Sequence, residues 1–314
     1  MQDKQLHVVF GAGQVGATLV HGLVASGHRV RVIQRSVPSA PLAGVEHVQA
    51  DVYDKAAAIR AAVGADVVYQ CTNAPYHAWP TQLPPLYRHI AAAAQTAGAR
   101  LVVLDNLYMV GQTQAPFDET TPEQPCSKKG QVRKDLADEL RAMHARGDLR
   151  VVFGRASDFF GPRVQQGAIQ HPRAMAQLMA GKPVDLLGAA DQLHSWSYVP
   201  DVAAGLQALG EHPETDGEVF HLPVLPPQTA IAQLQALADA LQVPLTTRVM
   251  PRWLLWAAGL VSPMMREMDE MLYQFTAPMV MRDDKVRARL RLEPTPLHVQ
   301  AQATAAWLRQ TSAK

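Results

Sequence analysis

The chain has 314 residues, 48% hydrophobic and 18% charged, enough for roughly two domains with a full core. Lys and Arg number 29 against 28 Asp and Glu, so a net charge of +1 offers no electrostatic footprint to nucleic acid or an anionic membrane. Cys71 and Cys126 are too few for a disulfide scaffold, and the longest wholly apolar run, Trp253–Val261, is far below the about 20 residues of a membrane span. With no signal-peptide core at the start, a soluble, cytoplasmic protein is expected. In chain order, strands are expected at Leu6–Phe10, Arg29–Ile33, Glu46–Gln49, Asp66–Gln70, Arg100–Leu104 and Arg150–Phe153. Helices are expected between them at Val15–Ser26, Lys55–Val63, Leu83–Gly98 and Lys128–Arg146, with Gly27, Gly64, Gly98 and Gly147 as left-handed stops. Strands separated by helices of this length imply a doubly wound parallel α/β sheet, a Rossmann fold.

Beyond Gly161-Pro162, which is expected to stop the sixth strand, the pattern loosens. Val219–Leu222 reads as a short strand, and Thr229–Leu241 and Val299–Leu308 as helices. The expected division is a dinucleotide-binding domain over 1–162, with 195–222 returning to it. Residues 163–194 and 223–314 would form a smaller, mainly helical substrate lobe.

Gly11-Ala12-Gly13-Gln14-Val15-Gly16 lies between the first strand and the first helix, where a G-x-G-x-x-G turn holds a dinucleotide. Gly11 permits the tight turn, Gly13 lets backbone approach a pyrophosphate, and Gly16 lets helix and strand pack closely, with phosphate at the helix's positive end. After the second strand the chain reads Gln34-Arg35-Ser36, without the acid that usually holds the ribose hydroxyls of NAD. Arg35 can form charge-assisted bonds to a 2′-phosphate and Ser36 can add a hydroxyl, so NADP is expected, with NAD an alternative.

Further segments carry a resemblance. They are Ala50-Asp51-Val52, Cys71-Thr72-Asn73-Ala74, Gly154-Arg155-Ala156-Ser157-Asp158-Phe159-Phe160-Gly161-Pro162 and Ser197-Tyr198-Val199-Pro200-Asp201-Val202-Ala203. With the glycine turn, they make the chain resemble an atypical extended short-chain dehydrogenase/reductase of the NAD-dependent epimerase/dehydratase family. The resemblance implies that Asp51 and Val52 flank the adenine and that Thr72, Asn73 and Ala74 line the cofactor's middle. Asp201 is expected to cap a helix or order a loop. A homodimer through the helices at 83–98 and 128–146 is also implied, although the Ala91–Ala94 face could equally meet the sheet.

The departure from that family lies at Cys126-Ser127-Lys128-Lys129-Gly130-Gln131-Val132-Arg133. Redox-active members carry Tyr-x-x-x-Lys there. Here Lys129 stands in the Tyr place and Arg133 in the Lys place, four residues apart on one helix face. Arg133 can hold a ribose and supply positive potential but cannot titrate usefully. Lys129 is one candidate proton donor. Tyr108 is the other, after the fifth strand, where Asp105 and Asn106 occupy the family's usual Ser/Thr places. Equally, Lys129 could be a solvated helix residue or a phosphate clamp, and Tyr108 could simply pack under the substrate loop.

Cys71 reads as a small core residue, and the scattered histidines have no metal-ligand spacing. Trp253, Leu254, Trp256, Met264, Met265, Met268, Met271, Tyr273 and Phe275 suit the core of a helical lobe, an apolar substrate roof, or both. Pro172, Pro183 and the Gln165–His171 loop could join that roof. The expected activity is an NAD(P)-dependent oxidoreductase or epimerase/dehydratase-like enzyme acting on a small, apolar carbonyl or alcohol. The alternative is a non-catalytic NADP(H)-binding sensor. No nucleic-acid or membrane partner is expected.

Overall fold

The computed structural model describes residues 4–36, 41–113, 116–250, 267 and 269–312. Trp253, Leu254, Trp256, Met264, Met265 and Met268 lie outside the described residues.

The chain divides into two compact units, residues 1–109, 128–155 and 202–220 in the first, residues 110–127, 156–201 and 221–314 in the second. The first unit is built on β1 (Leu6–Phe10), β2 (Arg29–Gln34), β3 (Val45–Gln49), β4 (Val67–Gln70), β5 (Arg100–Asp105) and β6 (Arg150–Arg155). With β10 (Val219–His221) they form one sheet in the order β10-β6-β5-β4-β1-β2-β3. β1 pairs with β2 and β4, β2 with β3, β4 with β5 and β5 with β6, all in parallel. Every residue of β1 and β4 is buried, as continuous apolar runs require when helices cover both faces.

The helices of this unit are α1 (Gln14–Ala25), α2 (Lys55–Ala61), α3 (Trp79–Ala97) and α4 (Lys128–Ala145). The four stop glycines, Gly27, Gly64, Gly98 and Gly147, all have positive φ. α3 begins four residues before the expected Leu83, because Pro80 sits in its first turn, where no backbone N–H is needed. Pro84 and Pro85 lie inside it, and a buried face of Trp79, Leu83, Leu86, Tyr87 and Ile90 offsets the lost hydrogen bonds. Ala91, Ala93 and Ala94 belong to the unit's own core with Leu101, Val103, Leu136 and Phe153, so of the two readings of this face the inward one holds. Each large apolar side chain buried there contributes about 1.5–3 kcal/mol.

Arg100 ties the end of the polypeptide's first unit to its middle. It is 3% exposed on β5. Its Nε and Nη2 donate to Asp216 Oδ1 at 2.9 and 2.6 Å, Nη1 donates to Leu209 O at 2.7 Å, and Nη2 donates to Thr215 Oγ1 at 3.2 Å.

β6 runs to Arg155, not Phe153, and Gly161-Pro162 ends a separate strand, β7 (Asp158–Phe160). β7 pairs in parallel with β9 (Trp196–Tyr198) in the second unit, a partnership formed across distant sequence. That unit also has a parallel pair of β8 (Val184–Leu186) with β11 (Thr247–Val249). Its described helices include α5 (Pro172–Met179), α7 (Ala230–Leu241), α8 (Asp284–Leu290) and α9 (Leu297–Ser312), while α6 (Val199–Glu211) links the two units in sequence. Asp201 orders a loop, as expected, accepting from Thr295 N at 2.8 Å and Thr295 Oγ1 at 2.6 Å. Among the described residues no helix is long and apolar enough to cross a membrane.

One buried histidine makes stability depend on pH. His7 on β1 is fully buried, its Nδ1 2.9 Å from Tyr69 Oη and its Nε2 without a partner. Burial, with His28 beside it, lowers its pKa from 6.5 to about 4. The folded protein resists a proton that the unfolded chain takes up below pH 6.5. Stability is therefore full above about 6.5 and falls as pH drops toward 4, by about 3 kcal/mol. Urea midpoints between pH 7 and pH 4 should show this slope, and His7→Phe should flatten it; an unchanged slope in the variant would assign the effect elsewhere.

Candidate functional site

Strand order reverses between β1 and β4, and in such sheets ligands bind in the crevice beyond the strands' carboxyl ends. The loops leaving those two ends are 11–16 and 71–74. Gly11 has φ +94°, and a Cβ there would lie 2.9 Å from Cys71 O and 2.9 Å from Thr72 Cγ2. A Cβ on Gly16 would stand 1.9 Å from Gly11 O and 3.2 Å from Cys71 Cβ. Gly13 is the opposite case, with no atom within 4 Å of its Cβ position. Two glycines let the loop close on itself, and the third leaves open space in front of it. α1 starts at Gln14 with no side-chain cap on Gly13 and no acid in its first turn, which leaves its positive end to an outside anion. Val15 and Gly16 are buried and Gln14 is half-buried.

Arg35 and Ser36 are exposed beyond the end of β2, and Arg35 O accepts from Gln49 Nε2 at 2.9 Å. Asp51 Oδ1 accepts from Tyr53 N at 3.0 Å, and buried Val52 offers its carbonyl to His89 Nδ1 at 2.9 Å. Burial raises the Tyr53 phenol, while the Arg35 charge pulls it the other way, so Arg35 lies within electrostatic reach of this turn. On the far side, Gln70 Nε2 donates to Thr72 O at 2.9 Å, and Asn73 Oδ1 accepts from Ala74 N at 3.0 Å. Trp79 Nε1 closes the loop by donating to Ala74 O at 3.1 Å. Burial pushes the Cys71 thiol up to about 12, which disfavours the thiolate, and the side chain is half-buried at the end of β4 and not part of the buried core.

The remaining site residues gather around a cluster of aromatic rings. Lys129, 1% exposed, sets its Nζ 4.6 Å from the centre of the Tyr76 ring. Tyr76 Oη lies 3.3 Å from Tyr108 Oη. Trp79 stacks on Tyr108 with centroids 5.7 Å apart and meets Tyr76 edge-on at 5.1 Å. On the other flank the Arg133 guanidinium lies 4.4 Å over the Trp79 ring. It also donates to Tyr87 Oη and contacts Asp105 Oδ1 at 3.5 Å, while Arg155 reaches Asp105 Oδ2 at 3.4 Å. Burial drives the Tyr87 phenol far up. Asn106 Oδ1 accepts from Tyr108 N at 3.2 Å and fixes the turn that carries the phenol.

Thus α4 presents two cations, four residues apart, that lie over rings of the segment following β4, while Tyr108, after β5, packs against those rings. Lys129, Tyr108, Arg133 and Asn106 all join this cluster. Sequence reasoning missed Tyr76, Trp79 and Tyr87; the available signal was an aromatic pair, three residues apart, directly after the Thr72-Asn73-Ala74 turn. Chemically, two phenols beside a buried ammonium can exchange a proton, and the open glycine loop can hold a phosphate.

In the second unit, His194 is buried between Trp196 and Phe275, with Nε2 2.8 Å from Asp158 Oδ2. Gln170 is buried and bonds both N and O of Gly161, and Pro172 starts α5. Met271 and Phe275 pack within this unit. Among the described residues no three His, Cys, Asp or Glu side chains converge as metal ligands would.

Residues 7–222 match the model of the NAD dependent epimerase/dehydratase family. Similar solved structures include an epimerase from Methanothermobacter thermautotrophicus, 20% identical, with a TM-score of 0.80 over 99% of this chain and 94% of that one. A second is UDP-glucuronic acid 4-epimerase from Bacillus cereus in complex with NAD, 16% identical, TM-score 0.76, over 98% and 99% of the two chains. A third is the dTDP-glucose 4,6-dehydratase of Streptomyces venezuelae with NAD bound, 17% identical, TM-score 0.78, over 98% of each chain. At these identities the likeness is one of fold. Among curated proteins no sequence matches the chain.

Proposed function

Since the chain belongs to the NAD dependent epimerase/dehydratase family, we propose that it is an oxidoreductase or epimerase/dehydratase-like enzyme that uses a nicotinamide dinucleotide, NADP in preference to NAD, on a small, apolar carbonyl or alcohol. The observation that carries this reading is the uncapped α1 terminus beneath Gly13, where Gly13 faces open space while Gly11 and Gly16 are closely packed. Gly11, Gly13, Gln14, Val15 and Gly16 would seat the pyrophosphate. Arg35 and Ser36 would take the 2′-phosphate, Asp51 and Val52 would flank the adenine, and Thr72, Asn73 and Ala74 would line the middle. Such a dinucleotide supplies hydride chemistry when bound. The chain's own part is to orient it, exclude water and manage a proton.

For that last task Lys129 or Tyr108 is the candidate proton donor. Arg133 braces Trp79 beneath Tyr108, while Asn106 holds Tyr108's backbone. The apolar substrate follows from the Trp- and Met-rich segment near the carboxyl end of the sequence. The Bacillus cereus and Streptomyces venezuelae structures carry NAD, so the preference for NADP rests on Arg35 and Ser36, with no acid beside them, and is tested at Arg35.

Fluorescence titration of the purified protein with NADPH and NADH should give tighter binding of NADPH. Arg35→Ala should weaken NADPH by roughly 10- to 100-fold, the worth of hydrogen bonds to a charged group, and leave NADH unchanged. Equal binding of both would remove the NADP preference, and binding of neither would remove the whole reading. A specific observation favours a second possibility: Arg133 Nη1 is engaged by Tyr87 and Asp105 instead of standing open. NADPH bound but never oxidised across a panel of carbonyl compounds would therefore favour a sensor.

A further inference from the structure

We propose that Tyr76 is the phenol that exchanges the substrate's proton, with Lys129 and Tyr108 equipping it to do so; the assignment rests on the dinucleotide-dependent reading above. The helix position that holds a tyrosine in redox-active relatives holds Lys129 here, and its ammonium lies over Tyr76. The phenol and the cation are both present, with the phenol supplied by another element. A cation over an aromatic face is attracted to the neutral ring, and more strongly to a phenolate, whose charge spreads into the ring. Tyr108 adds a hydroxyl 3.3 Å from Tyr76 Oη, and its hydrogen bond becomes charge-assisted when Tyr76 ionises.

Tyr76 is better placed than Tyr108. It leaves β4, the strand that borders the reversal of strand order, whereas Tyr108 leaves β5, one strand farther from it. Tyr76 is also the ring beneath Lys129, while Tyr108 is stacked on Trp79 and fixed by Asn106. Charged groups near the pair include Lys129 and, beyond Trp79, Arg133, whose charge faces Asp105 together with that of Arg155.

In the reducing direction the Tyr76 O–H bond breaks as a new O–H bond forms on the substrate's carbonyl oxygen. The hydrogen and two electrons for the carbonyl carbon come from the reduced nicotinamide dinucleotide, the reductant. An alcohol and the oxidised dinucleotide result, and the Tyr76 phenolate recovers its proton from water. An acid of this kind works best with its pKa near the operating pH, which is why a neighbouring cation matters.

The test is an ultraviolet difference titration of phenolate absorbance in the intact protein. The parent should show a step worth one tyrosine, about one pH unit or more below the ordinary value of about 10. Tyr76→Phe should abolish that step, and Tyr108→Phe and Lys129→Met should each move it up. A parent without the step, or a step that survives Tyr76→Phe, overturns the assignment. NADPH titration of the same samples separates the two levels. Failure of the parent to bind would strike the dinucleotide reading, whereas intact binding with ordinary phenol titration would strike Tyr76 alone.

Discussion

Gly13→Ala will fold and melt like the parent protein yet bind NADPH about 100-fold more weakly, a scale that an ångström of misplacement can produce. The methyl group meets nothing within 4 Å, and φ of −74° is ordinary for alanine, so the folded state has no reason to object. A ligand phosphate approaching the backbone meets the methyl first. Gly16→Ala should behave differently, because its Cβ would stand 1.9 Å from the Gly11 carbonyl oxygen, a backbone atom that cannot swing aside. Relief requires the loop and α1 to separate, with an overpacking cost of about 1–3 kcal/mol, so both melting temperature and affinity should fall. Thermal melts and fluorescence titrations of the two variants distinguish the roles. Parental affinity in Gly13→Ala would mean that the open space does not belong to a dinucleotide.

Arg100→Met should lower stability by about 3–5 kcal/mol. Removing the guanidinium strands the Asp216 carboxylate, 16% exposed, and leaves the carbonyls of Leu209 and Gly210 and the hydroxyl of Thr215 without this donor. Against a total stability of about 5–15 kcal/mol this is a large fraction. Urea unfolding should show the lower midpoint, and adding Asp216→Leu should recover part of the loss by removing the stranded charge. A single variant within about 1 kcal/mol of the parent would refute the argument, since that is the range of an exposed pair.

Most of the first unit was legible because its physics is local. Parallel strands covered on both faces must be continuous apolar runs, and Val8, Val9 and Phe10 or Val67, Val68 and Tyr69 can be read as such directly. The G-x-G-x-x-G turn was legible for the same reason: its three glycines answer to constraints within a few residues and one neighbouring strand. The start of α3 was not, because Pro80, Pro84 and Pro85 mimic a break, and only tertiary burial of Trp79, Leu83 and Leu86 shows why the helix persists. The end of β6 was misplaced because Gly161-Pro162 is a strong stop, whereas the pairing of β7 with β9 joins residues far apart in sequence. At the site, helical spacing put Lys129 and Arg133 on one face. Nothing along the chain said that the rings of Tyr76 and Trp79 would fill the space against them.

The pairing of Arg100 with Asp216 also sets a delay during synthesis. The partners are 116 residues apart. At about 5–20 residues per second the cation emerges roughly 6–23 s before the carboxylate that will neutralise it. β10 is missing throughout that interval, and once residue 155 has emerged β6 is the open margin of a nascent sheet, with unsatisfied backbone groups and Val151, Val152 and Phe153 as its side chains. The vulnerable species is thus a ribosome-bound chain that has made six strands of a seven-stranded sheet, and its sticky edge is sealed only when translation reaches residue 221.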